Sequence, residues 1–382
     1  MKINVCVLFG GKSTEHEISI ISALQLIENF DYNKYNVIPV YISKSNEFYT
    51  GEKLLNIKNY QNINLLLKKL KKVNFIKENE KVFLEEKKNF YYKKIYQVDC
   101  VFLVVHGTNA EDGTLSGYLN LLDCPYVGSD VCASALSMDK YYTKCILKYN
   151  DIDVIDGYLF NIYENTSNIV KKVEEKIKYP VIVKPNNLGS SIGIKSANNK
   201  EELIEAINYS FMFSKYILIE EKIENFKEIN CSVLGDSENC EASCLEEVVK
   251  TDEILSFKDK YLNSSKSVKG MESLSRIIPA KIEKEAEEEI KRISKKIFKL
   301  FRNNAVVRID YILDNTNGKI YVNEINNIPG SLANYLWKES GKSYSQLIDD
   351  LIKLAFKRHR EEKRINYTFD SNVLNNCNSI KK

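Results

Sequence analysis

The sequence predicts an α/β fold, with α+β character in part, and three features of the chain support this prediction. The chain opens with a continuous apolar run over residues 3–9 that ends at two glycines, as buried parallel strands do. A helix pattern follows directly, with Thr14 and Glu17 at the spacing of a capping box. Further on, two apolar strands flank the turn sequence DNTNG (residues 314–318), which is typical of an antiparallel hairpin.

Length and composition limit the classes of protein to which the chain belongs. Its 382 residues are enough for two or three domains, and its net charge of +3 is too small to indicate a nucleic-acid partner. A lysine-rich stretch over residues 65–96 carries offsetting acids, so we interpret it as a solvated face. We expect no signal peptide and no membrane partner, because the chain opens with a strand and no apolar run approaches about 18 residues. Nine cysteines without a CxxC pair, beside only three histidines, indicate reduced thiols in the cytoplasm.

Further strand and helix patterns divide the chain into three predicted units and a tail. Two more apolar strand patterns extend the first unit, which we expect to be a doubly wound parallel sheet over residues 1–128. The second unit, residues 129–223, contains a helix and two strands that flank a Gly/Ser loop. The third unit, residues 224–365, contains the hairpin, a long helix before it and a helix after it. Residues 366–382 are polar and aperiodic, and we expect a disordered tail there.

The first glycine turn does not have the pattern of a nucleotide-binding loop. The segment GGKST (residues 10–14) would need a glycine at position 6 to match a P-loop, and Cys6 stands there. No GxGxxG pattern follows the first strand, which argues against a dinucleotide site. Glu15 nevertheless stands in the first turn of the helix, at the mouth of the predicted sheet, where doubly wound folds bind ligands.

The second glycine-rich loop is a candidate lid over phosphates. In VKPNNLGSSIGIK (residues 183–195) a strand ends at Lys184, and a Gly/Ser segment leads into the next strand. Backbone N–H groups and two hydroxyls of such a loop can cover a triphosphate, while Lys184 and Lys140 neutralise its charge. A simple turn between two strands is the alternative interpretation.

The hairpin aligns charged residues across two strands. If its turn is centred on Asn317, Asp310 lies opposite Glu324, and Arg308 lies opposite Asn326 on the same face. Facing carboxylates repel each other unless a cation lies between them, and hard oxygen ligands of this kind suit Mg²⁺. A surface hairpin with arginine–acid pairs is the alternative. The apolar residues between the charged ones argue for a buried strand pair, where a charged side chain is costly unless it is paired or binds a ligand.

An ordered set of motifs runs over nearly the whole chain, from Val5 to about Ala355. The motifs are FGGKSTEHEIS, HGTNAEDGTLSGYLNLLDCPYVGSDVCASALSMDK, YPVIVKPNNLGSSIG, IEEKI, KEINCSVLG, FKDKY, RIDYIL and NEINNIPG. In type and order they resemble those of the D-alanine–D-alanine ligase family of the ATP-grasp superfamily. The resemblance implies an N-terminal doubly wound domain followed by two ATP-grasp subdomains that sandwich the nucleotide.

The resemblance also implies a set of catalytic residues. Glu15 would hold the ammonium group of the first D-amino acid and would hydrogen-bond Ser190 of the lid and Tyr261 of the FKDKY loop. Arg308 and the backbone N–H of Gly330 would stabilise the oxyanion that forms where the second amino acid attacks.

ATP and metal ions have their own implied residues. Two Mg²⁺ ions, which Mn²⁺ can replace, would be held by Asp310, Glu324 and Asn326. The residues that would contact ATP are Lys140, Lys184, Ser191 and Lys260 at the phosphates, Glu221 with the backbone of Lys222 and Ile223 at the adenine, and Glu228 at the ribose.

The implied reaction is ATP-dependent ligation of two D-amino acids, D-alanine with D-alanine, for peptidoglycan precursors. ATP would phosphorylate a carboxylate to an acyl phosphate, and the amine of the second amino acid would then displace phosphate. The family also implies a homodimer in the cytoplasm. Three alternatives remain open: a related ligase with a different second substrate, a catalytically silent ATP-binding relative, and an ATP-grasp ligase or carboxylase outside this family.

One position departs from the family's pattern. Five residues beyond Gly330 the family usually has a serine that helps to hold the carboxylate of the second substrate, and here Tyr335 stands in its place. Either Arg308 and the main chain suffice and the substrate is unchanged, or Tyr335 contacts the second substrate and selects a different one. Tyr261 resembles the tyrosine of dipeptide-forming members, which favours an amine nucleophile. His106, in the His-Gly-Thr loop, would lie near the first substrate.

Overall fold

The computed structural model describes residues 2–249 and 276–371, and its first sheet has eight strands in the order β6-β5-β4-β3-β2-β1-β7-β8. These strands are β1 (Ile3–Gly10), β2 (Tyr35–Ile42), β3 (Phe48–Thr50), β4 (Lys71–Glu78), β5 (Lys81–Lys87), β6 (Tyr92–Val98), β7 (Cys100–Leu103) and β8 (Tyr126–Val127). The helices connected with them are α1 (His16–Glu28), α2 (Ile63–Leu67) and α3 (Thr114–Leu121), with 3₁₀ turns at Glu52–Leu55 and Ile57–Asn62.

The prediction of a parallel sheet is right for one half of this sheet and wrong for the other. Strands β1, β2, β7 and β8 pair in parallel, whereas β2 through β6 form an antiparallel meander. Strands β4 and β5 are joined by only Asn79 and Glu80, both with positive φ, and so short a turn permits only antiparallel pairing. The lysine-rich stretch therefore contains sheet strands, in which Val73 and Phe75 are buried while Lys71 and Lys72 are exposed.

The second sheet is antiparallel, with the strand order β11-β10-β12-β9. Its strands are β9 (Gly157–Asn161), β10 (Val181–Pro185), β11 (Lys195–Ala197) and β12 (Tyr216–Glu221). The helices of this region are α4 (Val131–Met138), α5 (Lys140–Tyr149), α6 (Thr166–Lys176) and α7 (Lys200–Phe211). The Asp139 side chain caps α5 by accepting a hydrogen bond from the N–H of Tyr142, which places Lys140 in the first turn of that helix.

The third sheet is also antiparallel and has the order β15-β14-β13-β16-β17. Its strands are β13 (Phe226–Gly235), β14 (Cys240–Val248), β15 (Arg276–Ile277), β16 (Ala305–Asp314) and β17 (Ile320–Asn326). Helix α8 (Lys284–Leu300) is strongly amphipathic and packs its isoleucines and Phe298 against one face of this sheet. The opposite face is consequently left for polar residues.

The last helices return the chain to the first sheet. After a 3₁₀ turn at Gly330–Ala333 come α9 (Asn334–Glu339) and α10 (Tyr344–Glu362), the latter opened by a capping box between Ser343 and Gln346. Leucines and isoleucines of α10 share one hydrophobic core with β1, β2 and β7. Each of the three sheets lies within one predicted unit, but this helix joins the third unit to the core of the first. The domain boundaries themselves stay a prediction.

Two further expectations concern the chain ends and membranes. Residues 366–371 are exposed and without secondary structure, while the rest of the predicted tail, 372–382, lies outside the described residues. In the part of the chain that the structure describes, no helix is both long enough and apolar enough to span a bilayer.

Candidate active site

The hairpin of β16 and β17 has the predicted pairing. Arg308 lies opposite Asn326, and Asp310 lies opposite Glu324. All four side chains alternate with apolar ones, such as Ile309, that pack under α8. The charged residues therefore share the face of the third sheet that α8 does not cover.

A β-bulge produces this register. At the turn end Leu313 pairs with Ile320, so the turn is centred half a residue before the predicted centre at Asn317. Between that end and Asp310 the register shifts by one residue, and Asn323 is the additional residue on β17. Without the bulge, every side chain of β17 beyond it would point to the opposite face.

The polar face continues across two more strands. Asp310 pairs with Asn230 of β13 on its other side, and Asn230 pairs with Glu246 of β14. Glu246, Asn230, Asp310 and Glu324 thus form one row across four adjacent strands. The sequence pattern indicates only the Asp310–Glu324 end of this row, because the pairing of β14 with β13 is not visible in a local pattern.

Arg308 and Asp310 form a bidentate ion pair. The Arg308 Nε and Nη2 atoms donate to the two carboxylate oxygens of Asp310 at 2.6 and 2.7 Å, and Asn326 Nδ2 donates to Asp310 Oδ2 at 3.0 Å. Burial raises the pKa of Asp310 to about 6, an effect that Arg308 opposes and that the nearby Glu324 carboxylate reinforces. Asp310 is thus a carboxylate in a site that favours additional positive charge.

The donor set at this end of the row fits a divalent cation with hard-ligand preference. Asp310 and Glu324 supply carboxylate oxygens, and with Nδ2 of Asn326 turned to Asp310, its Oδ1 is the remaining ligand atom. No cluster of three or more His, Cys, Asp or Glu residues with metal-site geometry occurs within residues 2–249 and 276–371. The predicted set contains only two carboxylates, and the third ligand is an amide.

Two lysines predicted to bind phosphate lie beside these residues. Lys140 Nζ is 3.5 Å from Glu324 Oε2 and donates to the backbone oxygen of Leu188 in the Gly/Ser loop at 2.5 Å. Lys184 Nζ donates to Asn323 Oδ1 at 3.2 Å, so the bulge residue of the hairpin positions it. Lys140 therefore lies next to the candidate metal ligand Glu324, and Lys184 contacts the residue that precedes Glu324.

A buried carboxylate that sequence analysis missed holds Lys184 in place. Glu220 is completely buried, with Lys184 Nζ at 2.5 Å from Oε2 and Lys144 Nζ at 2.7 Å from Oε1. Burial opposes its ionisation, but Lys144 and Lys184 together hold the pKa of Glu220 below its usual range. The signal in the sequence was the pair Glu220-Glu221 at a strand end, where alternation points one acid inward and one outward.

The lysines line a cavity between the second and third sheets. The residues predicted to contact ATP that line it are Lys140, Lys184, Ser191, Glu221, Lys222, Ile223 and Glu228. Apolar side chains, among them Ile155, Ile182 and Ile312, contribute to the same walls. Such a cavity suits a nucleotide, because its apolar walls can contact the flat base while its ammonium groups neutralise the charged phosphates. We name it the nucleotide cavity.

A second cavity adjoins the first. Its lining includes Glu15, His106, Ser190, Arg308, Glu324, Asn326 and Gly330, which are predicted catalytic, metal or substrate residues. Glu228 and Glu324 line both cavities. The two cavities therefore meet at Glu228, the predicted ribose contact, and at the candidate metal ligand Glu324. We name this one the substrate cavity.

The Gly/Ser loop closes the substrate cavity over Glu15. The Ser190 hydroxyl donates to a carboxylate oxygen of Glu15, as predicted. Ser190 and Ser191 both have positive φ, 54° and 58°, which is unusual for residues with a side chain and is found at functional sites. Burial and the Glu111 carboxylate raise the pKa of Glu15, and the hydrogen bond from Ser190 opposes the rise.

His106 and Gly330 are held by contacts between α1 and the segment after β17. The His106 Nδ1 atom lies 2.8 Å from the backbone oxygen of Ile328, and its Nε2 atom lies 3.1 Å from Ser22 Oγ. Ser331, Leu332 and Ala333, directly after Gly330, all have φ near +50°. Three consecutive left-handed residues are costly, at about 1–3 kcal/mol each, and the surrounding contacts must stabilise them.

Two of the predicted site residues cannot be placed. Tyr261 and Lys260 lie outside the described residues. Of the other predicted site residues, all but two line one of the two cavities. The two exceptions are Tyr335 and Asp310, and Asp310 is hydrogen-bonded to the lining residues Arg308 and Asn326.

Comparison with known families agrees with this arrangement. The family model for the N-terminal part of D-Ala–D-Ala ligases matches residues 4–129, and that for the C-terminal part matches residues 150–353. The chain belongs to the D-alanine–D-alanine ligase family.

Individual members of the D-alanine–D-alanine ligase family are similar over nearly their full length. A D-alanine–D-alanine ligase of Thermosipho melanesiensis is 40% identical, and the match covers 97% of this chain and 98% of the relative. The solved D-alanine–D-alanine ligase of Coxiella burnetii is 28% identical, with a TM-score of 0.79 over 95% of this chain and 96% of that one. The VanG D-Ala:D-Ser ligase of Enterococcus faecalis is 32% identical, with a TM-score of 0.78 over 93% and 100% of the two chains.

Tyr335, the departure from the family's pattern, is a buried residue that packs behind the substrate cavity. It is absent from the lining of that cavity, and its hydroxyl donates to Glu246 Oε2 at 2.9 Å. The Arg276 guanidinium lies 4.1 Å from the centre of its ring, and Arg276 Nη1 lies 3.3 Å from Glu246 Oε1. Direct contact of Tyr335 with a substrate stays a prediction. What the structure adds is a set of partners, Glu246 and Arg276, that sequence analysis did not single out.

Proposed function

We propose that this protein ligates D-alanine with D-alanine to form D-Ala-D-Ala for peptidoglycan precursors, with ATP as the energy source. As a member of the D-alanine–D-alanine ligase family, the chain is an ATP-dependent ligase that uses a divalent metal. The observation that carries the proposal is the meeting of the nucleotide and substrate cavities at Glu228 and Glu324. Glu15 lines the same cavity as Glu324, so a phosphoryl group at that junction would share this cavity with a substrate bound beside Glu15.

Each group in the junction has a role in this reaction. Glu15 holds the ammonium group of the first D-alanine, and Lys140 and Lys184 neutralise the phosphate charge. The carboxylate of the first D-alanine becomes an acyl phosphate, and the amine of the second D-alanine displaces phosphate. Arg308 and the N–H of Gly330 stabilise the oxyanion of that step. Such preorganised groups act through charge stabilisation and positioning, without a covalent intermediate on the enzyme.

The metal part of the proposal concerns ion identity and number. We propose two Mg²⁺ ions, replaceable by Mn²⁺, held by Asp310, Glu324 and Asn326. Bound there, they supply electrostatic neutralisation of the transferring phosphoryl group. The oxygen-only donor set supports this choice of ion.

The test is an assay of the purified protein with ATP, Mg²⁺ and D-alanine. We expect release of inorganic phosphate in step with D-Ala-D-Ala, and none with L-alanine as the matched control. Absence of phosphate release with every D-amino acid would refute the ligase proposal. Tight ATP binding without turnover would instead favour a catalytically silent relative.

A second candidate function is ligation of D-alanine to a different second amino acid. It is favoured by Tyr335 at the position of the family's serine, and the similar VanG enzyme is a D-Ala:D-Ser ligase. A panel that pairs D-alanine with glycine, D-serine and larger D-amino acids tests it. If Tyr335 limits the size of the second substrate, Tyr335→Ser will move the preference toward D-alanine; an unchanged profile would show that the tyrosine only packs.

The proposal also includes the cellular location and the oligomeric state of the enzyme. Peptidoglycan precursor synthesis calls for a cytoplasmic enzyme with small-molecule substrates, and the family suggests a homodimer. Sedimentation equilibrium of the purified chain measures the oligomeric state, for which we expect twice the mass of 44.1 kDa.

A further inference from the structure

The hairpin of β5 and β6 places three consecutive aromatic side chains in solvent. Phe90, Tyr91 and Tyr92 are 98%, 61% and 55% exposed. Aromatic residues normally bury most of their surface, because transfer of an apolar ring out of water is favourable. A single exposed apolar residue needs no explanation, whereas a contiguous exposed patch indicates an interaction surface. We name residues 87–94 the hairpin tip.

The hairpin tip projects from the first sheet. Leu84 is completely buried, whereas Lys87, further along β5, is exposed. At about 3.3 Å per residue, Lys87 lies roughly 10 Å beyond Leu84, the last buried residue of this strand. The N–H of Lys88 donates a hydrogen bond of 2.8 Å to the backbone oxygen of Tyr91, which closes the turn. Phe90 therefore lies at the apex of a short, hydrogen-bonded turn beyond the body of the sheet.

Lysines flank the aromatic residues of the tip on both sides. Residues 65–96 contain ten lysines and four acidic residues, so that this segment has a net charge of +6 and the rest of the chain has −3. Two of the four lysines of the tip, Lys88 and Lys94, form ion pairs with glutamates. The other two, Lys87 and Lys93, are exposed and have no ion pair with any residue that the structure describes. The tip thus presents uncompensated positive charge beside exposed rings.

The tip lies away from the candidate active site. Strand β6 leads into the amino end of β7 through the single residue Asp99, so the hairpin joins the parallel half of the sheet at the amino ends of its strands. Glu15 and His106 instead follow the carboxyl ends of β1 and β7. A partner held at the tip is therefore not placed over the substrate cavity.

The shape and the charge of the tip favour a lipid surface over a nucleic acid. A single-stranded nucleic acid binds in a groove along which successive bases stack, whereas the tip is a narrow projection with its rings at the end. At a planar boundary between water and lipid, rings at an apex can insert while lysines around them contact the phosphate headgroups. Tyrosine is enriched at such boundaries, because its ring is apolar and its hydroxyl group is polar.

We propose that the hairpin tip binds the surface of an anionic lipid bilayer, with Phe90 inserted at the interface and with Lys87 and Lys93 at the phosphate headgroups. The expectation of no membrane partner rested on the lack of a spanning segment, which attachment of this kind does not need. The interpretation of residues 65–96 as a solvated face accounts for the lysines but not for the aromatic residues between them. One inserted ring together with a few lysines gives weak, reversible attachment. The inference does not depend on which amino acids the enzyme joins.

The experiment is co-sedimentation of the full-length protein with vesicles of two compositions. One set contains equal amounts of phosphatidylglycerol and phosphatidylcholine, and the other contains phosphatidylcholine alone. We expect binding to the anionic vesicles, much weaker binding to the neutral ones, and a decrease with added salt, because salt screens the attraction between lysines and headgroups. Absence of binding to the anionic vesicles, or equal binding to both sets, would overturn the inference.

Substitution of the unpaired lysines tests the electrostatic part. Lys87→Gln with Lys93→Gln should reduce partitioning to the anionic vesicles by about fivefold per lysine. The matched control is Lys171→Gln with Lys178→Gln, because these lysines are also exposed but lie outside the tip. An equal reduction in the control would show that the attraction belongs to the whole protein surface and would overturn the assignment to the tip.

Substitution of the apical ring tests insertion. Phe90→Ser should reduce partitioning by about tenfold or more, while Tyr163→Ser, at another highly exposed aromatic residue, should bind as the wild type does. The emission of the Phe90→Trp variant should shift to shorter wavelength with anionic vesicles, and the background is constant because Trp337, the single tryptophan of the chain, is buried. Unchanged binding of Phe90→Ser, or an unshifted emission, would overturn insertion of the tip.

Other partners give different results. A sedimentation-equilibrium mass that falls in Phe90→Ser without lipid would assign the tip to contact between two copies of the chain. Binding of a single-stranded oligonucleotide that is lost in the same variant would assign it to nucleic acid, and either result would overturn the inference. Phosphate release with D-alanine should be the same in the tip variants as in the wild type, so failure of the ligase proposal is observed separately.

Discussion

The Arg308 guanidinium is bonded through two parallel hydrogen bonds to Asp310, two residues away on the same strand. This pair joins the group assigned to the oxyanion to a candidate metal ligand. A change in charge at the metal ligands is therefore transmitted to the reacting centre of the second step.

Glu324→Gln should reduce turnover by several orders of magnitude with little change in stability. The substitution removes one negative charge from the metal site while its shape is preserved. Electrostatic groups directed at developing charge are worth about 3–4 kcal/mol each in the transition state. The measurement is kcat from steady-state phosphate release, with thermal unfolding as the control for folding. Near-normal turnover would show that the metal site is elsewhere.

Metal affinity should fall as the pH decreases below about 6. Burial raises the pKa of Asp310 to about 6, so below that pH a proton occupies the carboxylate and competes with the metal ion. The affinity should decrease by up to about tenfold per pH unit, since one proton is displaced. Binding of Mn²⁺, followed by loss of its free electron paramagnetic resonance signal between pH 5 and 8, measures this. Asp310→Asn should abolish the pH dependence; a dependence that persists would assign it to another group.

The pH profile for the first substrate should respond oppositely to two substitutions near Glu15. The hydrogen bond from Ser190 lowers the pKa of Glu15, and the Glu111 carboxylate raises it. Ser190→Ala should therefore shift the acid limb of kcat/KM for D-alanine to higher pH, because Glu15 must be ionised to hold an ammonium group. Glu111→Gln should shift it to lower pH. Shifts in the same direction would contradict the assignment of this limb to Glu15.

Removal of the buried Glu220 charge should destabilise the second sheet. Glu220→Gln leaves Lys144 and Lys184 together in a buried site without their counter-ion, and breaking such a cluster costs about 3–5 kcal/mol. Glu221→Gln, one residue further on the same strand, is the matched control because Glu221 is exposed. Chemical denaturation of both variants gives the free energies of unfolding. Equal stabilities would mean that the lysines are neutral or paired elsewhere.

Local patterns in the sequence were sufficient for the hairpin and the Gly/Ser loop. The turn chemistry of residues 314–318 and the alternation of polar and apolar residues predicted the hairpin. The predicted pairing of Asp310 with Glu324 is present, but it depends on the bulge at Asn323, which no local pattern indicated. The Ser190–Glu15 hydrogen bond was expected only from the resemblance to a family, since 175 residues separate the two groups. The parallel half of the first sheet followed from its continuous apolar runs, but its antiparallel meander was missed because lysines masked the alternation.

The sequence by itself thus determined the elements and the chemistry each could carry: carboxylates on one strand face, lysines at a strand end and a helix start, and a loop with hydroxyls. Only the tertiary structure decided which of these groups meet. The Lys144–Glu220–Lys184 cluster and the Tyr335–Glu246–Arg276 cluster depend on contacts between elements far apart in the chain, as does the hydrogen bond from Lys184 to the bulge residue Asn323. The physical reason is that the pattern of a strand specifies which of its faces is buried but not which strand pairs beside it. In addition, a charged group can be buried only where packing brings an opposite charge within bonding distance.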